Sequence, residues 1–172
     1  ACNRMILTAV CRQVHVITRL MANTFSQIYL HFVFAVSQRE CAIDDSWRLD
    51  LYKYLVGSIS RRGNHVVAIG GMPDHVHILV SMSPSEAPSV LVQQVKMQSS
   101  KWINEKQLTP KPFKWQTGYG CFSYTKSHVS AVVTYIKNQR KHHSTQGFLD
   151  EFRHILENLD IPHEDIYLFD EI

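Results

Sequence analysis

Residues 71–80, Gly-Met-Pro-Asp-His-Val-His-Ile-Leu-Val, constrain the fold more than any other stretch of the chain. A turn rich in glycine, proline and aspartate leads straight into an apolar run, and side chains on a strand alternate between faces with a period of two. His75 and His77 therefore share one face, while Val76, Ile78 and Val80 share the other. Two imidazoles side by side on a rigid strand form a pincer for a divalent metal if a third ligand arrives from elsewhere in the chain, because metal sites need several ligands in fixed geometry. Taken alone, the pair reads more readily as two hydrogen-bonded polar residues on a strand face. The rest of the sequence decides between the two readings.

The flanking patterns place this strand in a sheet. Residues 27–36 alternate, with Ile28, Leu30, Phe32, Phe34 and Val36 on one face and Gln27, Tyr29 and His31 on the other, as in a half-buried strand. Asp44 and Asp45 are N-cap candidates for a helix whose apolar stripe runs through Trp47, Leu51, Tyr54, Leu55 and Ile59. That helix is expected to end near Arg61-Arg62-Gly63, with basic residues in the last turn and glycine after it. Residues 65–70 form a short strand, 70–74 the turn of a hairpin, and 75–82 the strand that carries the pincer.

Pro84 and Pro88 bracket the start of a second helix, with Val90, Leu91, Val95 and Trp102 on its buried side and an end near residue 105. The pattern breaks at 109–112. Residues 115–124 then read as a strand in which Gly118 and Gly120 allow a bulge or close backbone approach. After Ser127, an N-cap candidate, Val129, Val132, Val133 and Ile136 recur at i, i+3, i+4 and i+7, predicting an amphipathic helix to about residue 141. Residues 144–147 separate it from a last helix with Phe148, Phe152, Ile155 and Leu156 inward. The order strand, helix, strand, strand, helix, strand is α+β, that of a ferredoxin-like or RRM-like antiparallel sheet. Two helices cover one face, and the other is left open to the helix after Ser127.

With 172 residues and 45% hydrophobic content, the chain suits one domain with a sizeable core. No apolar run approaches the roughly 20 residues of a membrane span, so no membrane association and a soluble protein are expected. The cysteines, Cys2, Cys11, Cys41 and Cys121, form no Cys-x-x-Cys pair and match neither a secreted framework nor a zinc knuckle. Reduced thiols in a cytoplasm fit that usage. Residues 1–149 hold 17 Lys and Arg against 7 Asp and Glu, a net of +10, whereas residues 150–172 hold one against eight, a net of −7. A basic body with an acidic tail suits a polyanionic partner, and equally an ordinarily solvated surface. Residues 1–20 show neither strand alternation nor a helical stripe, and Met21 opens the structured reading. The expectation is an upstream extension, or one added by cloning, over 1–20 and a single domain over 21–172.

The chemistry gathers on the helix after Ser127. Tyr135 and Gln139 are spaced i, i+4, stack on one side of it, and can project toward the open sheet face. Gln139 offers a neutral carbonyl oxygen as the third ligand beside two imidazoles. Tyr135 offers a hydroxyl that can attack a phosphodiester and hold the product covalently. A metal there would act as a Lewis acid on the phosphate.

Three motifs in order, Met72-Pro73-Asp74-His75-Val76-His77, then Trp115-Gln116-x-Gly118-Tyr119-Gly120-x-Phe122-Ser123, then Tyr135-Ile136-Lys137-Asn138-Gln139-x-x-His142-His143, resemble those of the single-tyrosine HUH transposases of the IS200 type. The likeness runs from Met21 to the C-terminus. It implies DNA strand cleavage and rejoining on single-stranded DNA through a 5′-phosphotyrosine at Tyr135, with His75, His77 and Gln139 binding magnesium or manganese. It also implies recognition of hairpins near the element's ends, and a homodimer with active sites shared between subunits. Two other readings stay open: a domesticated relative that processes chromosomal hairpin repeats with the same chemistry, and a non-catalytic nucleic-acid module built on the same sheet.

Lys96 and Lys101 belong to a lysine run that suits phosphate contacts, and Arg140 and Lys141 neighbour the proposed chemistry. Trp115, Tyr119 and Phe122 are candidates for base stacking or for the core. His31 shares the pincer's class of strand face and is expected to give it a supporting hydrogen bond. Asp74 is expected to form the turn.

Overall fold

The alternation along residues 29–35 builds the central strand of a four-stranded sheet. The computed structural model describes residues 25–39, 42–139 and 147–164. Its elements are β1 (Tyr29–Ala35), α1 (Asp45–Arg61), β2 (His65–Met72), β3 (His75–Ser81), α2 (Pro88–Glu105), β4 (Gly120–Tyr124), α3 (Val129–Lys137) and α4 (Phe148–Asn158). The strand order is β2-β3-β1-β4 and every pairing is antiparallel. This is the α+β, ferredoxin-like arrangement that the order of elements predicts. No described helix is long and apolar enough to cross a membrane.

One sheet face is the main core. Leu30, Phe32, Phe34 and Val36 from the first strand and Val76, Ile78 and Val80 from β3 pack against Trp47, Leu51, Leu55 and Ile59 of α1 and Leu91, Val92, Val95 and Ile103 of α2. Asp44 caps α1 by accepting a hydrogen bond from the Ser46 amide at 2.8 Å. Pro88 opens α2, where its missing N–H leaves no bond unmade.

The register fixes the surroundings of the pincer. Opposite residues in an antiparallel pair point to the same face. His75 lies between Ala35 of β1 and Met72 of β2, and His77 lies between Val33 and Gly70. Ala35 beside His75 and Gly70 beside His77 are the small neighbours on each side. At Gly70 a Cβ would stand 2.3 Å from the carbonyl oxygen of Ile136, so this glycine is what lets the last turn of α3 settle on β2. Val132 and Ile136 of α3 pack there on Ala68 and Leu79.

Three expectations are corrected. The sheet face expected to carry the tyrosine helix alone also carries α4, which packs Phe148, Phe152 and Leu156 against Val33, Ala35 and Phe122. The fourth strand is confined to residues 120–124, and Trp115 makes only an isolated bridge with Val36. Between them the carbonyls of Gln116 and Gly118 turn to the Lys96 ammonium at 2.5 and 2.6 Å, and Gly118 adopts φ +83°, which takes this segment out of the ladder. Ser127 is not an N-cap: it lies inside a 3₁₀ turn, Lys126–His128, that precedes α3. Its hydroxyl pairs with that of Thr125 at 2.8 Å.

Candidate active site

The two imidazoles are held by their Nδ1 atoms. His75 donates from Nδ1 to Oδ1 of Asp74 at 2.8 Å, and Phe148 stacks on its other side with ring centroids 4.2 Å apart. Nδ1 of His77 lies 3.0 Å from Nε2 of His31. Burial lowers His31 to a pKa of about 4, against a smaller opposing influence of the Glu151 charge, so its ring is neutral near pH 7. A hydrogen on Nδ1 of each pincer histidine leaves Nε2 with its lone pair, the tautomer that metal-binding imidazoles adopt when a second group holds Nδ1.

Both Nε2 atoms face one carboxylate. Glu151, buried in the first turn of α4, places Oε2 3.7 Å from Nε2 of His75 and Oε1 3.8 Å from Nε2 of His77. The ligand atoms of His75, His77 and Glu151 all lie within 4.8 Å of one another, so the buried cluster could hold a divalent metal.

α3 brings its two polar residues to the same carboxylate. Gln139 donates from Nε2 to Oε1 of Glu151 at 2.7 Å, and the Tyr135 hydroxyl donates to that same oxygen. Oε1 of Gln139 is buried and has no hydrogen-bond partner among the described residues, which fits an oxygen donor toward a cation. Burial, together with the Glu151 charge beside it, pushes the Tyr135 hydroxyl above its usual range, so it stays protonated at rest. Tyr135 and Glu151 also border a cavity of about 740 Å³ whose wall includes Tyr124, Val132, Ile155 and Leu159.

His75, His77, Tyr135 and Gln139 therefore converge. Of the proposed DNA contacts, Lys96 and Lys101 do not join them. Lys96 and Lys101 lie on α2, in the layer across the sheet. Lys96 is engaged by the two carbonyls above and lies over the Phe34 ring at 5.8 Å; burial lowers its pKa to about 8. Lys101 is exposed, 3.7 Å from Glu105. Arg140 and Lys141 lie outside the described residues. Trp115 and Phe122 are buried in the core, where the Trp115 ring nitrogen donates to the Ser99 hydroxyl at 2.8 Å, whereas Tyr119 stays partly exposed. His31 supports His77 as expected, and Asp74 does more than form a turn, since it also orients His75.

Glu151 is the residue that sequence reasoning missed. A signal for it existed: Phe148, Glu151, Phe152 and Ile155 fall at i, i+3, i+4 and i+7, which puts a carboxylate inside an apolar stripe.

The match to known proteins covers the strands and helix that carry the pincer and the tyrosine. A family model described as "Transposase IS200 like" matches residues 24–139, more than half of the chain and the whole run from β1 to Gln139. The chain belongs to the IS200-like transposase family. Among solved structures, it is similar to a candidate transposase from Deinococcus radiodurans R1, with a TM-score of 0.57 and 21% identity over 69% of this chain and 95% of the other. A REP-associated tyrosine transposase bound to a REP hairpin is similar with a TM-score of 0.55 and 14% identity, over 72% and 73% of the two chains. At these identities the structures speak for the transposase's fold. No curated protein matches the chain.

Proposed function

We propose that this transposase cleaves and rejoins single-stranded DNA through a covalent tyrosyl intermediate, with Tyr135 as nucleophile. The observation that carries the reading is the meeting of His75, His77, Gln139 and Tyr135 around one buried carboxylate, with Tyr135 and Glu151 also lining a cavity.

Tyr135 attacks the scissile phosphorus through its phenolic oxygen. The bond from phosphorus to the 3′ oxygen breaks, leaving a 5′-phosphotyrosine and a free 3′-hydroxyl, while the phenol gives up its proton and the departing oxygen gains one. Attack by an incoming 3′-hydroxyl reverses these steps and restores the tyrosine. Glu151 holds the phenolic hydrogen to one side, which leaves an oxygen lone pair for the phosphate. Asp74 and His31 fix the ring orientations of His75 and His77. A divalent metal, magnesium or manganese, held by His75, His77 and Gln139, supplies Lewis-acid stabilisation of charge on the phosphate when bound.

The substrate is single-stranded DNA with hairpins near the ends of a mobile element, and the enzyme works in the cytoplasm at the nucleoid as a homodimer of the 21–172 domain. The hairpin-bound relative supports the hairpin, and the basic body supports a polyanion. The similarity to a REP-associated enzyme favours one second reading, the processing of chromosomal hairpin repeats by the same chemistry; the genes beside this one distinguish the two.

Incubation with single-stranded DNA from the element's ends and magnesium should yield a protein–DNA adduct that survives denaturant. Tyr135→Phe should abolish the adduct while hairpin binding persists. An undiminished adduct would remove Tyr135 from the mechanism.

A further inference from the structure

We propose that Glu151 is itself a ligand of the divalent metal, so that a carboxylate from α4 completes the pincer of β3. The inference rests on the metal-dependent reading above and extends it to a residue beyond the family match, which ends at residue 139.

The two carboxylate oxygens address different rings, Oε2 toward His75 at 3.7 Å and Oε1 toward His77 at 3.8 Å. Donors about 2.0–2.2 Å from a single ion stand roughly 3–4.4 Å apart, and both separations fall in that range. The nitrogens that face the carboxylate lie on the side of each ring away from Asp74 and His31. Glu151 is carried by a helix packed against the site: Phe148 stacks on His75, and Phe152 and Leu156 are buried in the core beneath it.

The competing role is narrower. Oε1 accepts hydrogen bonds from both Tyr135 and Gln139, so Glu151 would serve as an anchor for those two side chains alone. That role accounts for Oε1 and leaves the approach of Oε2 to His75 unused.

Two consequences separate the roles. With Glu151 in its coordination sphere the ion has two imidazoles and a carboxylate, a donor set that suits a first-row ion such as Mn²⁺ better than Mg²⁺, which prefers oxygen and water. The same carboxylate oxygen also holds the Tyr135 hydroxyl, so ion and nucleophile are tied to one group and their separation is fixed by it.

The test is Mn²⁺ binding to the full chain without DNA, followed by calorimetry and by electron paramagnetic resonance, in wild type, Glu151→Gln and His77→Ala. Ligation by Glu151 predicts that Glu151→Gln weakens Mn²⁺ more than about hundredfold, beyond the roughly 10–100-fold that loss of an outer-shell anchor costs. Mn²⁺ affinity within about hundredfold of wild type in Glu151→Gln, with binding lost in His77→Ala, would overturn the proposal and leave Glu151 as an anchor. Unchanged affinity in both variants would overturn the metal reading with it. Far-UV circular dichroism checks that Glu151→Gln is folded. If it is not, a crystal structure of wild type with Mn²⁺ decides: an anomalous peak about 2.2 Å from a Glu151 oxygen supports ligation, and one more than about 3 Å from both oxygens overturns it.

Discussion

Burial keeps His31 neutral down to about pH 4, whereas in the unfolded chain it takes up a proton near 6.5. Above 6.5 both states are neutral and His31 adds no pH dependence. Below it the unfolded state binds the proton first, so the folded, metal-free protein loses stability as pH falls from 6.5 through 4, by on the order of 3 kcal/mol. Urea unfolding at pH 7 and pH 4.5 should therefore show a smaller difference in His31→Gln than in wild type. An equally steep loss in the variant would assign the effect to other groups. At this scale the sequence was informative where chemistry recurs at short spacing: His75 with His77, and Tyr135 with Gln139, share faces that period two and period 3.6 dictate. Glu151 was not visible in that way, because it reaches the pincer across 74 residues of chain, and an acid in a helix's first turn has a sufficient local explanation in the helix dipole.

The tyrosine helix depends on the strand beneath it. Gly70 lies opposite His77 in β2, and a side chain there would collide with the last turn of α3. Gly70→Ala should cost about 1–3 kcal/mol by overpacking and should lower adduct formation more than it lowers Mn²⁺ affinity, since it displaces Tyr135 and leaves the strand ligands in place. Thermal melts and the adduct assay measure the two effects; equal losses would show that the glycine supports the whole sheet instead. Strands and helices with a regular apolar stripe, from β1 to α2, were legible to within a few residues. Residues 115–119 were not, because what ends the strand is Lys96, a tertiary partner about 20 positions away that claims two of its carbonyls. The inward residues of α4 were legible as well, but an amphipathic pattern says only that a helix has a buried side, never which sheet face receives it.

For the molecule as a whole, one chain brings its own Tyr135 ring to 5.8 Å from its own His77. A site complete within one chain would use that tyrosine. Mixing Tyr135→Phe with His77→Ala should then restore no adduct, and recovery on mixing would show that the sites are shared between subunits. The strongest consequence of the fold comes from the two helices over the pincer. They leave His75, His77 and Glu151 buried and Tyr135 mostly so, between a sheet and an apolar layer of Phe148, Phe152 and Val132. A tyrosyl–DNA link formed at Tyr135, as proposed above, would be backed on one side by this layer and open on the other to the cavity, so an incoming strand end could reach it while water has fewer directions of approach.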